Sequence, residues 1–370
     1  MKRVALTILS FLLISACKNG NKSISRDLSA DLSTNKDELL VSKPENIEEP
    51  SGMRWVSGVN FTMGALASDP LALPRENPAH PVAVDGFFID ITEVTNKQFR
   101  EFVEETNYVT VAERPIDWNE LKQQLPPGTP KPHDSLLKPG SLVFKKGLDS
   151  ISEYNYFQWW EWKIGANWKN PEGPGSSIEG KDDYPVVHIS FEDTQAYCKW
   201  AGRRLPTEAE WEAAAHGKRP GGIYTWGNDE KELNFLANTW QGEFPLKNDP
   251  KDGYKFAAPV RSFPANSLGL YDMAGNVWEW TSDWYDEYYY QELLKQGKAI
   301  NPMGPEKPNN PANPYEKEKV IKGGSFLCNK SYCASYRITA RMPQALDSGS
   351  DHLGFRTVAT VEMLEKTGNN

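Results

Sequence analysis

Apolar positions along this chain follow two periods, and neither runs for long. His80-Pro-Val-Ala-Val-Asp-Gly-Phe-Phe-Ile-Asp90 carries apolar residues on both sides of Asp85-Gly86, which predicts two short strands joined by a turn. Directly after it, Thr95-Asn-Lys-Gln98 has the form of a helix capping box, and Phe99, Phe102 and Val103 follow on one face. A second helix is predicted from Ser190 to Ala201, with Phe191, Tyr197 and Trp200 spaced for burial. A third starts at another capping box, Thr207-Glu-Ala-Glu210, and ends near Gly217. Beyond it strands look short and loops long, and no internal repeat shows itself. Early helices followed by irregular β structure predict an α+β fold with little regular secondary structure. One compact domain is expected over residues 53–362, with a short tail at 363–370.

Residues 112–182 interrupt this pattern with a long stretch rich in Pro, Gly and Trp. A loop of that length in a compact domain is functional or pinned by packing. Anchoring is the preferred reading for Trp159, Trp160, Trp162 and Trp168. The N-terminus breaks the pattern differently. MKRVALTILSFLLISAC places Lys2 and Arg3 before an apolar run and ends in Ile-Ser-Ala-Cys17, the form of a secretory leader with a lipid-attachment cysteine. The run is too short to remain as a membrane span. A signal peptide is expected at 1–16, lipidation at Cys17 and a flexible polar tether over 17–52, with a cleaved leader and an incidental Cys17 as the alternative. The expected location is the cell envelope, anchored in the inner or outer membrane and facing the periplasm.

Composition adds limits rather than detail. Of 370 residues, 39 % are hydrophobic and 12 % aromatic, which is enough for a sizeable core. The net charge of −9 argues against a nucleic-acid partner, and losing residues 1–16 would take it to −11. With Cys17 set aside, Cys198, Cys328 and Cys333 remain, an odd number that a disulfide framework does not accommodate. By spacing alone the Cys328-x4-Cys333 pair reads first as a small local disulfide. A two-thiolate site for a soft ion such as Cu(I) and a redox pair stand behind it. Asn238-Thr239 with Asp252-Gly-Tyr254, and Asp272-Met-Ala-Gly275-Asn-Val277-Trp-Glu279, group oxygen donors with turn residues. Such groups suit a hard cation, but on spacing alone Asx-turns and caps are favoured. His80, His133, His188, His216 and His352 show no helical metal spacing, and there is no nucleophile elbow, phosphate loop or dinucleotide fingerprint.

The stretch Gly323-Gly-Ser-Phe-Leu-Cys-Asn-Lys-Ser-Tyr-Cys333, followed by Tyr336-Arg337, Ala340-Arg341, Asp347-Ser348 and Leu353-Gly-Phe-Arg356, closely resembles the C-terminal signature of formylglycine-generating enzymes, the sulfatase-modifying factors. Asn60-Phe-Thr-Met-Gly64, Glu93-Val-Thr-Asn96, Gly165-Ala-Asn-Trp168, Pro171-Glu-Gly-Pro174, Pro185-Val-Val-His188, Trp200 to Trp211, Asn238 to Pro245 and Gly275 to Thr281 agree in order, over roughly residues 53–360. The resemblance implies the family's C-type-lectin-like α+β fold. It also implies an oxidase that turns a cysteine of an unfolded sulfatase into Cα-formylglycine with molecular oxygen and a thiol reductant. By position, Cys328 and Cys333 would hold Cu(I), Ser325 and Trp278 would be the active-site serine and tryptophan, and two calcium sites would use Asn238, Thr239, Asp252 and Tyr254, and Asp272, Gly275, Val277 and Glu279. The expected substrate is an extended C-x-P-x-R peptide in an acidic, aromatic-lined groove, and the protein is expected to act as a monomer. Three departures stand out. Asn329 stands where the family often has histidine, which puts a proton-handling role there in doubt. Cys198 has Thr357 at its pairing position, so it is expected to be a free buried thiol. Ala215 and Ile338 occupy a second disulfide position found in some members. The alternative is a non-catalytic lipoprotein on the same fold, with a structural role such as gliding motility or envelope assembly. Related iron-dependent sulfoxide synthases are set aside because their histidine-rich motif is absent.

Overall fold

The computed structural model describes residues 39–148 and 156–368; the leader, Cys17 and the start of the tether lie outside the described residues. The three expected helices form at Asn96–Thr106, Phe191–Ala201 and Glu208–His216. Each begins with a reciprocal capping box, as at Thr95, whose hydroxyl accepts from the Gln98 N–H (3.3 Å) while the Gln98 side chain accepts from the Thr95 N–H (2.9 Å). Helices this short are marginal alone and depend on burying one face. Phe99 and Phe102 pack on Tyr197 of the second helix, and Phe99 also meets Trp168 and Phe355. Among the described residues no helix is long and apolar enough to cross a membrane.

Strands are short and pair over long sequence distances. Phe87–Asp90 lies between Met53–Val56 and Val358–Ala359, antiparallel to both. His80–Val84 lies between Val59–Met63 and Ala299–Ile300. A four-stranded sheet runs Met342–Ala345, Glu318–Lys322, Trp278–Trp284, Leu353–Gly354, with the last strand parallel to its neighbour. The Asp85-Gly86 turn therefore joins two sheets instead of closing a hairpin. Leu40 occupies its outer edge, donating to Asp85 Oδ1 (2.8 Å) and accepting from the Gly86 N–H (2.7 Å).

Two boundaries differ from the sequence reading. The last part of the stretch read as tether is packed, with Ile47 buried against Met53 and Phe88. Through Gly368 the stretch read as a tail belongs to a helix, Val361–Gly368, whose Val361 and Leu364 join the same cluster. In the tryptophan-rich segment, Gly140–Phe144 pairs with Trp160–Ile164. Trp159 and Trp168 are buried anchors, whereas Trp160 and Trp162 are half-buried.

The largest fully buried side chains include three arginines, each facing a carboxylate from a distant part of the chain. Arg337 pairs with Glu76 (2.6 Å) and Asp69 (2.6 Å), Arg341 with Glu208 (2.8 Å), and Arg356 with Glu279 (2.6 Å). Removing one partner of such a pair leaves a charge with neither water nor counter-ion. Arg337→Met is therefore expected to destabilise the protein by about 3–5 kcal/mol, read as a lowered urea midpoint with an unchanged slope. Lys330→Met, at a solvent-exposed pair with Glu230, is expected to shift the midpoint hardly at all.

Candidate active site

The cysteine-bearing loop leaves the strand Glu318–Lys322 through Gly323 and Gly324, both at positive φ. The loop closes on itself there: a Cβ on Gly324 would sit 2.7 Å from the carbonyl carbon of Ser335. Inside the loop the Asn329 carbonyl accepts from the N–H groups of Tyr332, Cys333 and Ala334 (2.9, 3.0 and 3.1 Å), which winds the chain between the cysteines into a tight turn. The Asn329 side chain holds that turn in place. Its amide donates to the Trp240 carbonyl (2.9 Å) and its oxygen accepts from the Ser331 N–H and hydroxyl (2.9 and 2.7 Å). An amide so engaged has no titratable proton to offer, so residue 329 is a clamp here.

The turn brings Cys328 and Cys333 together as free thiols. Cys328 is buried, Cys333 half-buried, and the two sulfurs share a hydrogen bond. Burial, then donation to Cys333, pushes the Cys328 thiol well above its ordinary range. Burial also acts against ionising Cys333, but donation from Cys328 and from the Ser335 backbone outweighs it and leaves that thiol below its ordinary value. Cys333 is thus the more readily ionised sulfur of the pair, and Cys328 donates to it.

Both sulfurs line a cavity of about 370 Å³ with Ser325, Trp278 and His352. Trp278 is on the central strand Trp278–Trp284, and its N–H donates to the His352 carbonyl (2.8 Å), tying the two walls together. Ser325 Oγ accepts from the Leu327 N–H (3.2 Å) and is hydrogen-bonded to His352 Nδ1 (3.1 Å). The Ser325 N–H donates to Cys328 Sγ (3.3 Å). Burial and the neighbouring His188 pull the His352 pKa down to about 3, so the imidazole is neutral at physiological pH. Trp160, Phe244 and Tyr332 supply the aromatic walls, with Tyr332 stacked on Phe244 at 4.8 Å. Among the described residues that line this cavity none is a carboxylate. A carboxylate there would oppose ionisation of Cys333 through like-charge repulsion.

The oxygen-rich stretches adjoin one another behind the loop. Asn276 Oδ1 accepts from Asn238 Nδ2 (3.2 Å) and the Ala258 N–H (2.9 Å), and Asn276 Nδ2 donates to Glu93 (3.0 Å). Gly275, at positive φ, lies so close to Asn238 that a Cβ would be 2.2 Å from its carbonyl oxygen. In the first group, Asp252 accepts from the N–H groups of Thr239 (3.2 Å) and Tyr254 (2.9 Å), while Asn238 Oδ1 and Thr239 Oγ1 are buried without a partner. In the second, Asp272 lies beside Glu93 and feels the charge of Glu279. Burial first, then repulsion from Asp272, raises Glu93 well above the carboxylate range, and burial raises Asp272 to about 6. Glu279 is already matched by Arg356 and by the Trp211 indole N–H (2.7 Å). Val277, the remaining member, is fully buried in the core. Among the described residues no three His, Cys, Asp or Glu side chains form a metal-binding group, so a cation at either place would draw on amide, hydroxyl or carbonyl oxygens as well.

Sequence reading missed His352 and Glu93. His352 directly precedes the Leu353-Gly-Phe-Arg356 motif, yet only tertiary structure brings it to Ser325, 27 residues earlier. Glu93 opens the Glu93-Val-Thr-Asn96 motif and carries a buried oxygen with no partner. Cys198 is buried, and burial lifts its thiol to about 12. Thr357 at the expected pairing position donates instead to Asp90 (2.6 Å), and Ala215 and Ile338 fill apolar core positions.

Residues 38–361 match the family model described as the sulfatase-modifying factor enzyme 1-like domain. The chain is 43 % identical over 304 residues to the formylglycine-generating enzyme of Mycobacterium tuberculosis, covering 82 % of this chain and 95 % of that one. It is also 37 % identical over 311 residues to the inactive Cα-formylglycine-generating enzyme 2 of Mus musculus, covering 83 % and 85 %. Among solved structures, PvdO from Pseudomonas aeruginosa superposes with a TM-score of 0.55 at 22 % identity, covering 84 % of this chain and 94 % of that one, a likeness of fold.

The three described thiols differ enough in environment to be told apart chemically. In the native, reduced and metal-free protein at pH 7, iodoacetamide is expected to label Cys333 first and faster than a free cysteine. Cys328 should follow more slowly, and Cys198 should react only after unfolding. Peptide mapping by mass spectrometry reads the order, and equal rates at Cys333 and Cys198 would refute the assignment.

Proposed function

The chain belongs to the formylglycine-generating, sulfatase-modifying factor family, and from that membership we propose that it converts a cysteine of an immature sulfatase into Cα-formylglycine. The observation that carries this reading is the free Cys328–Cys333 pair at one cavity with Ser325 and Trp278. Family membership alone does not decide activity, since an inactive relative is nearly as similar as the active ones. The proposed reaction takes the thiol-bearing methylene of the substrate cysteine, one molecule of oxygen and two reductant thiols to an aldehyde, one hydrogen sulfide, one disulfide and one water.

Cys328 and Cys333 would hold Cu(I). Two soft sulfurs, with no third His, Cys or carboxylate ligand among the described residues, fit a soft ion of low coordination number. When bound, Cu(I) supplies the reactivity toward oxygen that a thiolate pair lacks. The chain's own groups do the remaining work. Cys333 is the sulfur of the pair that ionises more readily, Asn329 fixes the turn between the two cysteines, and aromatic side chains wall the cavity. Asn238 Oδ1, Thr239 Oγ1 and Glu93 Oε2, buried oxygens with no hydrogen-bond partner, fit Ca2+ behind the loop. The Ile-Ser-Ala-Cys17 leader supports an envelope protein anchored by lipid at Cys17.

Purified protein given Cu(I), oxygen, a thiol and a C-x-P-x-R peptide is expected to produce the mass loss of thiol-to-aldehyde conversion. Cys328→Ser and Cys333→Ser should each abolish turnover and the binding of one Cu(I) per chain, the latter measured by competition with a chromogenic chelator. Copper-loaded wild type without turnover would support the non-catalytic reading. The calcium assignment has a separate test. Ca2+ at a hundredfold its dissociation constant is expected to add about 2.7 kcal/mol of stability, visible as a raised Tm that EDTA reverses. Asp252→Asn should blunt the shift, and a Tm indifferent to Ca2+ would refute the assignment.

A further inference from the structure

Ser325 Oγ has three hydrogen-bonding positions, two lone pairs and one proton. The Leu327 N–H uses one lone pair at 3.2 Å, and His352 Nδ1 lies 3.1 Å away on another side. His352 is not loosely placed. Its carbonyl is fixed by the Trp278 N–H, and its ring packs against Trp160 (centroids 5.0 Å) and at the edge of Phe326 (6.3 Å). Among the described residues no carboxylate lines the cavity beside the ring, and its environment keeps it neutral, so Nδ1 is free to act as an acceptor. The serine hydroxyl is the polar donor within hydrogen-bond reach of it.

We infer that His352 is a positioning residue for the oxidase proposed above: by accepting the Ser325 hydroxyl at Nδ1, it leaves Ser325 Oγ as an acceptor-only group facing the cavity beside the two thiols. Ser325 then receives a hydrogen bond from the S–H of the incoming cysteine and cannot donate one to it. His352 carries its own proton on Nε2. This divides the work of the site between two hydrogen-bonded pairs. Cys328 donates to Cys333, and Ser325 donates to His352, so each pair leaves one group with a lone pair toward the substrate. The inference rests on the oxidase reading for its consequence, but the hydrogen bond itself does not.

Two measurements test it. Nitrogen-15 histidine NMR of the metal-free protein should show His352 as the neutral Nε2–H tautomer, shifting to a mixture in Ser325→Ala. A Nδ1–H tautomer, or an imidazolium at pH 7, would overturn the inference whether or not the protein turns over a peptide. In the copper-loaded protein, His352→Leu should lower kcat about tenfold with KM within about twofold, a tenfold rate change being about 1.4 kcal/mol, the scale of one neutral hydrogen bond. His352→Asn keeps an oxygen acceptor near the place of Nδ1 and should recover most of that loss. The Ser325→Ala/His352→Leu double variant should be no slower than Ser325→Ala, because the two residues act as one unit. Additive losses, or a His352→Leu enzyme as fast as wild type, would overturn the inference. A wild type with no turnover but the expected tautomer would overturn the oxidase reading and leave the hydrogen bond established.

Discussion

A few buried ion pairs hold this fold in register. The chain forms short strands and long connections, so little of its shape is fixed by hydrogen-bond ladders. Arg337, Arg341 and Arg356 are fully buried, and each reaches a carboxylate supplied from far away in sequence, Glu76, Glu208 and Glu279. Taking a guanidinium out of water costs several kcal/mol, and the cost is met only when its fork is matched bond for bond. Mispacking by even one residue would strand a charge. Lys322 adds a fourth such contact, 3.0 Å from Glu212. Lys322 and Arg337 bracket the cysteine loop, so both of its ends are set by groups that have only one tolerable position. The arginines of the C-terminal signature are therefore structural parts whose effect is to place the thiols.

That placement explains the chemistry of the cavity. A thiol buried in apolar surroundings is normally inert, as Cys198 is. Cys333 escapes this because the turn imposed by Asn329 and the neck formed by Gly324 and Ser335 deliver donors to its sulfur. The same low-dielectric walls that hinder ionisation elsewhere strengthen these few hydrogen bonds. Among the described lining residues there is no carboxylate, and an acidic neighbour would work against what the donors gain.

Local order was legible in the sequence and long-range order was not. The capping boxes read at Thr95 and Thr207 involve residues three apart, so local sequence locates those helices, and each begins at the next residue; Ser190, read as the start of the second helix, is its cap. The Asp85-Gly86 turn was visible, but the sheet each flanking strand joins depends on partners such as Val358 and Ala299 that no local pattern reveals. Spacing ranked a disulfide first for Cys328 and Cys333, and only the family resemblance pointed to a free pair with Ser325 and Trp278. His352 carried no signal of its own, because its significance lies in a contact with Ser325. The unpartnered oxygen of Glu93 is likewise a property of packing, invisible as long as Glu93 is one acid among many.

The position of Asn276 shows why the oxygen-rich groups and the thiol loop behave as one block. Its side chain joins Asn238, Ala258 and Glu93, and its carbonyl accepts from the Phe326 N–H (2.9 Å) inside the cysteine loop. Trp240, two residues past Asn238, donates to the Cys328 carbonyl (3.0 Å) and accepts from the Asn329 side chain. Any shift of Asn238 or Glu93 is thus passed to both sides of the thiol pair through direct hydrogen bonds. Buried carboxylates at elevated pKa strain such a block, because each must stay protonated or repel its neighbour. A cation seated on the unpartnered oxygens would remove that repulsion without disturbing a single hydrogen bond of the loop. Its contribution to catalysis would then be rigidity: sulfurs held at fixed separation spend less of their binding energy on ordering themselves when a soft ion or a substrate thiol arrives.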